Sequence, residues 1–392
     1  MPFIRKSILA FLCICFFLVG CSVTNEFQVA TYETAVERKY PPISVFHSSP
    51  IESFVDECQT FDKASIMQTC NLRAVNLGAF QKALKNSGMF ADVLYADRDV
   101  GYRIVLSSAS YVKEDAADIG SAALAGATLL VAPVQVTSNI KVNASLKWHD
   151  VLLETVEVEL PFTQKMSLLT MDQDHDADIA KSVSSFILKE LQEKDAFRIG
   201  HVAEKLQSSN YDEDLILPEQ LGSFIKEDFH WYDNPFYGYQ TRYSHTDFLF
   251  NIVDVFVYPI RSADLTRSRH LLKKEFDSLL EDIDLAEKEG FFRALSKGEP
   301  IAKRWHVGIQ AYDIMKFSAH FLNQEDEAKV TFAYLFLLDD KYVKVRATFA
   351  DNEQSIPDVD RLIQELIGNI KVPKESLFMA RTRKQWRDQQ PY

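Results

Sequence analysis

The sequence predicts an α+β protein of two small domains, each a mainly antiparallel sheet packed with helices. Short stretches in both halves alternate apolar and polar residues, the period of a half-buried strand, and longer ones repeat apolar residues at the helical 3.6 period. Between the halves, residues 196–222 are polar and irregular, with Ser208-Ser209-Asn210 and Pro218, which reads as a linker. A chain of 392 residues with 47% apolar and 25% charged side chains is ordinary globular protein, which excludes disordered, collagen-like and multi-span membrane classes. Its 43 bases against 56 acids leave a formal −13, and so acidic a chain does not wrap nucleic acid unaided.

Residues 1–20 carry Arg5 and Lys6 and no acid, and an apolar run from Ile8 to Val19 ends in Leu18-Val19-Gly20-Cys21. A basic start, a short apolar run and small residues before a cut form a secretory signal. The run is too short for a transmembrane helix, which needs roughly 20 residues. The tetrad resembles the lipobox of bacterial lipoproteins. That resemblance implies a diacylglyceryl thioether on Cys21, which becomes the acylated first residue after residues 1–20 are removed. Several acyl chains, at about 0.8 kcal/mol per buried methylene, make such an anchor stable. Ser22, in place of an aspartate, resembles the sorting signal of Gram-negative lipoproteins bound for the outer membrane, which implies a body in the periplasm. The plainer alternative is an uncleaved anchor with an incidental cysteine. Loss of the signal removes Cys13 and Cys15 and leaves the mature chain at −15.

Residues 21–41 are expected to be a polar tether, stiffened by Pro41-Pro42. The first domain, residues 42–195, then opens with a strand at 43–46. Cys58 and Cys70, 12 positions apart, are expected to form a disulfide in an oxidising compartment, worth about 3 kcal/mol on the chain-entropy model. A reactive thiol is the alternative, but no Cys-x-x-Cys is present. Leu72, Val75, Leu77, Phe80 and Leu84 suit a helix that Ser87-Gly88 ends. Strands are expected over 90–95, 102–112, 140–146 and 151–160, the last two joined at His149-Asp150, and a helix over 176–191 closes the domain. The pattern Phe80-x-x-Ala83-Leu84-x-x-Ser87-Gly88-x-Phe90-x-x-Val93, with the later Leu130-Val131-Ala132-Pro133, resembles one common in uncharacterised periplasmic lipoproteins across residues 72–192. It implies a fold type and no activity.

The second domain, residues 223–371, begins with an aromatic stretch at 229–243. A strand over 247–258 places Phe248, Phe250, Ile252, Phe256 and Tyr258 on one face, and an amphipathic helix follows over 264–292. Strands near 305–315, 329–338 and 342–349 lead to a final helix from about Ser355, with Asp358 three residues on as a capping box. Residues 372–392 form a basic tail; from Lys371 onward six bases face two acids.

Several features offer chemistry, each beside a plainer reading. The aromatic stretch holds seven rings in fifteen residues, including Trp231, Tyr232, Phe236, Tyr237, Tyr239 and Tyr243, interleaved with Arg242 and other polar groups. Such rings suit stacking on sugars or a partner peptide, or simple packing of a loop. Asp254 and Asp313 interrupt apolar faces, as catalytic acids do, and a neighbouring arginine explains them equally. The uncharged segment 119–140 reads as a buried strand or helix, with membrane or partner insertion as the alternative. Asp172, Asp174, Asp176 and Asp178 alternate as in a calcium loop, yet Ala177 and Val183 stand where the loop needs glycine and glutamate, so these acids are expected to complement the next helix's N-terminus. Ser110/Lys113 and Ser223/Lys226 match Ser-x-x-Lys without the companion motifs of that enzyme class. The nine histidines show no zinc spacing, with His201 and Glu204 the nearest approach, so neither metal nor cofactor is expected. The basic tail, with Phe378 and Trp386, suits an anionic lipid or acidic partner, or is a solvated end.

The leading expectation is a non-enzymatic interaction or assembly module of the cell envelope, its local concentration near partners raised by the Cys21 anchor. A glycan or small-ligand binder using 229–243 is the alternative, and an envelope hydrolase around Asp254 or Asp313 a third.

Overall fold

Alternating apolar residues build two sheets, one in each of two units, Met1–Phe197 and Arg198–Tyr392. The computed structural model describes residues 27–34, 39–61, 70–95, 100–112, 134–166, 175–248, 250–352 and 356–389. The lipobox with Cys21, segment 119–133, Lys113, Asp172, Asp174 and Ser355 lie outside the described residues. No described helix is long and apolar enough to cross a membrane.

The first unit runs β1 (Ile43–His47), α1 (Glu52–Phe61), β2 (Cys70–Leu72), α2 (Leu77–Asn86), β3 (Val93–Tyr95), β4 (Tyr102–Val112), β5 (Val134–Trp148), β6 (Val151–Met166) and α3 (Asp176–Glu193). Its sheet has the order β3-β1-β4-β5-β6, with β2 also on β4. β1 is parallel to β3 and β4, as the helix-bearing connection from β1 to β3 allows, and the other pairs are antiparallel. Ile140, Val142, Ala144, Leu146 and Trp148 of β5 are buried at alternate positions, and His149 takes φ 48° in the turn to β6. Leu72 and Val75, expected within the helix, precede it. Asn76 caps α2 by accepting the Ala79 N–H at 3.0 Å, and its amide donates to Asp176 at 2.7 Å. Asp176 and Asp178 occupy the first turn of α3, where negative charge is favoured.

Cys58 on α1 and Cys70 on β2 form a disulfide, their Cα atoms 5.4 Å apart, over a small cluster that includes Phe54, Ala109 and Tyr111. The expected tether is in part docked. The Ala30 N–H donates to Ser185 Oγ at 2.8 Å, and the Glu33 backbone exchanges bonds with the Gln192 side chain at 2.9 and 2.7 Å. Ser185 and Gln192, seven residues apart on α3, share one helix face, which the chain follows.

The second unit runs α4 (Ile199–Leu206), α5 (Tyr211–Asp214), β7 (Gln220–Leu221), β8 (Phe224–Trp231), β9 (Tyr239–His245), β10 (Ile252–Pro259), α6 (Ser268–Lys288), β11 (Arg293–Lys297), β12 (Ile301–Val307), β13 (Gln310–Leu322), β14 (Ala328–Leu338), β15 (Lys341–Ala350), α7 (Val359–Asn369) and α8 (Leu377–Gln389). Its nine strands are antiparallel in the order β11-β13-β14-β15-β10-β9-β8-β7, with β12 on the other half of β13. Strand alternation sorts its two faces. Ala333 and Leu335 of β14 meet Leu272 and Phe276 of α6, while Tyr334 and Phe336 meet Leu362, Ile363 and Leu366 of α7. The result is helix, sheet, helix in three layers.

Five expectations give way here, the first being the strand near 305–315, which Gly308 at φ 62° turns into the antiparallel pair β12 and β13. The linker 196–222 is folded: Val202, Ala203, Leu206, Tyr211 and Leu221 are buried, because the polar residues between them form exposed helix faces and caps. Phe248 and Phe250 are exposed in the β9–β10 loop rather than on the strand, since His245 Nδ1 accepts the Asp247 and Phe248 N–H groups at 3.0 and 3.2 Å and turns the chain. α6 starts at Ser268, because the Asp264 carboxylate accepts the Thr266 N–H at 2.9 Å and closes a turn first. The tail is α8, with Phe378, Met379 and Arg383 buried. Its apolar residues are too few to show amphipathic character, and one buried arginine anchors the helix in their place. Asp358 itself caps α7, accepting the Arg361 N–H at 3.1 Å.

Candidate functional site

The aromatic stretch folds as the β8–β9 hairpin, whose register puts Phe229, Trp231, Tyr239 and Tyr243 on one face of the sheet. Trp231 and Tyr243 are buried against the α7 side of the sheet. Tyr243 donates its hydroxyl to the Pro218 carbonyl at 2.8 Å. Phe236 packs on Phe378 and Trp386 of α8, with ring centres 5.1 and 6.3 Å away. Tyr232 donates to Gln240 at 2.8 Å. Phe229 and Tyr237 remain exposed, at 59% and 51%. Phe229 stacks on Tyr239 at 5.6 Å with the rings 9° from parallel, and Tyr239 stacks in turn on Tyr211. Burial, the first cause, and nearby acids push the Tyr239 hydroxyl up to about 12. Gly238 permits the tight turn: it has φ 68°, and a Cβ there would fall 2.0 Å from the Val257 carbonyl oxygen. These rings form a surface ladder and line neither cavity described below.

Arg242 leaves that group. It lies on the opposite face, directly across from Asp254 on β10, which in turn faces Arg346 on β15. Arg242 donates to Asp254 through Nε at 2.8 Å and Nη2 at 3.3 Å, and Arg346 through Nη2 at 2.7 Å. The Asp254 side chain is fully buried beneath two arginine side chains that are 43% and 53% exposed. Burial pushes its carboxyl up, but the hydrogen bonds and charges of the two arginines outweigh this and hold it below the ordinary carboxylate value. Asp313 is likewise held by Arg269 at 3.2 Å and Arg304 at 3.9 Å. Both acids are therefore partners of arginine pairs. Of the Ser-x-x-Lys pairs, Ser110 lies on β4, and Lys226 is ion-paired with Glu219. No group of three or more His, Cys, Asp or Glu placed to hold a metal occurs among the described residues.

Beside the arginine stripe, α6 and the sheet leave a cavity of about 360 Å³. Leu279, Ile283 and Ala286 of α6, at helical spacing, form its roof, and Thr331, Ala333, Ala319 and Phe321 lie in its floor. Lys344 and Arg346 of β15 bound one flank. The Lys344 ammonium stands over the Phe256 ring at 4.8 Å and the Tyr258 ring at 5.7 Å. Burial lowers its pKa. Glu275 of α6 accepts the Tyr258 hydroxyl at 2.7 Å. A second cavity, of about 310 Å³, lies where Lys316 and Tyr334 bind Asp360 of α7, at 2.8 Å for the lysine.

Comparison with known proteins adds distant likenesses alone. No family model and no curated protein matches the chain. The solution structure of cyanobacterial PsbP from Synechocystis is similar over 42% of this chain and 89% of that one, at 11% identity and a TM-score of 0.29. The Saccharomyces cerevisiae Ran-binding protein Mog1p is similar over 42% and 96%, at 13% identity and a TM-score of 0.26. A hemagglutinin homolog from Helicobacter pylori reaches 12% identity over 47% and 96%, with a TM-score of 0.19.

Proposed function

We propose that this protein is an outer-membrane lipoprotein, anchored through Cys21 and facing the periplasm, that serves as a non-enzymatic interaction or assembly module of the cell envelope. The observation that carries the reading is the basic start, short apolar run and Leu18-Val19-Gly20-Cys21 at the N-terminus. Two further features support it. The cysteine pair is placed for a bridge that suits an oxidising compartment. The exposed ladder of Phe229 on Tyr239, with Tyr237 at the hairpin end, offers flat aromatic area of the kind that anchors protein contacts. The glycan alternative calls for these rings around a pocket, and here they form an open surface.

Crosslinking in intact cells, followed by affinity isolation of the full chain, tests the proposal. Wild type is expected to capture specific envelope proteins, Cys21→Ser to lose them with the anchor, and Phe229→Ser with Tyr237→Ser to lose them while still lipidated. Deleting the tail is unsuitable, since α8 is part of the fold. A lipidated, abundant wild type that captures nothing overturns the interaction reading; an unprocessed Cys21 overturns the anchor.

A further inference from the structure

The groove under α6 has a chemistry that neither the anchor nor the aromatic hairpin explains. Its lining holds one acid, Asp282, against two cations, Lys344 and Arg346. Lys344 has no carboxylate within ion-pair distance among the described residues, and its ammonium contacts ring faces. Glu275 and Asp282 of α6 attract its charge from beyond ion-pair distance, burial outweighs them, and an anionic group brought to the ammonium offsets that cost. Two strand spacings away, about 10 Å across the sheet, the flank over β13 is apolar, with Ala319 and Phe321 in the floor and Phe292 and Ala286 above them.

We infer that this groove binds a single-chain amphiphile with an anionic head, its carboxylate or phosphate at Lys344 and Arg346 and its alkyl chain lying across β14 toward Phe321. The lining favours an alkyl chain over a peptide. The floor strands β13, β14 and β15 are interior and already paired on both sides. The Thr331 and Thr348 hydroxyls lie 3.1 Å apart and bond each other. A peptide laid in the groove would leave its own N–H and C=O groups without partners, and an alkyl chain has none to satisfy. The volume lies near the lower end of the roughly 300–1,000 Å³ usual for small-ligand sites.

The probe is a photoreactive, alkyne-tagged pentadecanoic acid, irradiated with the full-length protein in membranes and mapped by mass spectrometry. Label is expected on the α6 segment 279–286 and on β13 or β14. Dodecanoate or dodecyl phosphate should reduce that label at least tenfold, and whichever competes better names the head; dodecyltrimethylammonium, with the same tail and opposite charge, should not. Ala286→Trp, which fills the half-buried mouth, and Lys344→Glu, which reverses the head contact, should each cut groove labelling at least tenfold while thermal unfolding stays cooperative. Label absent from these segments, equal competition by the cationic surfactant, competition by an acidic peptide alone, or undiminished label in both folded variants overturns the inference. Cys21→Ser, irradiated as the unanchored protein, should label the groove as wild type does in membranes, so failure of the anchor reading and failure of this one are separable.

Discussion

The second unit contains two clusters of arginine, lysine and aspartate that use similar side chains to opposite ends. At the corner where β14 turns into β15, Asp340, Lys341 and Arg383 are all buried, with side chains 4% exposed or less. Arg383 reaches in from α8, placing Nη1 2.9 Å from Asp340 Oδ2 and donating Nη2 to the Ile260 carbonyl at 2.8 Å, while Glu375 takes its outer side. In the middle of the sheet, the buried Asp254 has its two arginines half in water, and Lys344 beside them faces rings. Closed on every side, the first cluster can only hold structure together. The second sets three cations around one buried carboxylate on a half-open face, with Glu275 and Asp282 beyond ion-pair distance of Lys344, the arrangement the proposed anion site calls for.

The sharpest way to break this contrast is Arg383→Ala. Removing one partner of a buried network leaves Asp340 with Lys341 alone and takes the donor from Glu375 and the Ile260 carbonyl, at a cost of about 3–5 kcal/mol. The variant should unfold several degrees lower and lose near-ultraviolet signal from Trp386, which packs on Phe236. A loss below about 1 kcal/mol in chemical denaturation would mean that α8 is not fastened by this residue.

Asp254→Asn ranks next. It removes charge-assisted bonds whose donors stay half-solvated, so the expected loss is smaller, about 1.5–3 kcal/mol. Its pH dependence follows from the lowered Asp254 pKa. A depressed carboxyl contributes stability that is fully present above its unfolded value, near 3.9, and is lost as pH falls through the folded value. The gap between wild type and variant should therefore be full at pH 7 and close below about pH 4; a gap independent of pH would refute the ionised triad. Arg346→Ala, at a half-exposed partner, should cost at most about 1 kcal/mol because Arg242 remains.

How far these clusters could be read in the sequence depends on how local their signals are. Gly88, His149-Asp150 and the Cys58–Cys70 spacing act over a few residues, and the matching elements formed. Asp254 was visible as an acid on an apolar face, but Arg346 lies 92 residues away and becomes its neighbour through strand register alone. Tyr342, Lys344, Arg346 and Thr348 alternate with Val343, Val345, Ala347 and Phe349, a pattern that signals a solvent-facing strand side. That face is instead half-roofed by α6. No local feature of the sequence fixes how much of a nine-stranded sheet one helix covers, and the groove is the uncovered remainder. Arg383 sat in a run of bases that resembles a solvated end, because a single buried guanidinium leaves no periodic trace.

The smallest effect separates the two clusters most cleanly. Lys344 carries a pKa lowered by burial, so the folded state holds its proton less firmly than the unfolded chain does. Such a lysine destabilises the fold at every pH below its folded pKa, and the penalty lifts as pH rises toward the unfolded value near 10.4. Lys344→Met removes the buried charge and replaces its contact with Phe256 and Tyr258 by a thioether on the same rings, an exchange of roughly equal worth. The variant should therefore be more stable than wild type at pH 7, by about 0.5 kcal/mol, with the difference shrinking as pH rises toward the unfolded lysine value. A structural lysine would behave as Arg383 does, and its loss would destabilise at neutral pH. Stability gained at pH 7 by deleting a cation that loses groove labelling in the same variant is the signature of a charge retained for a ligand.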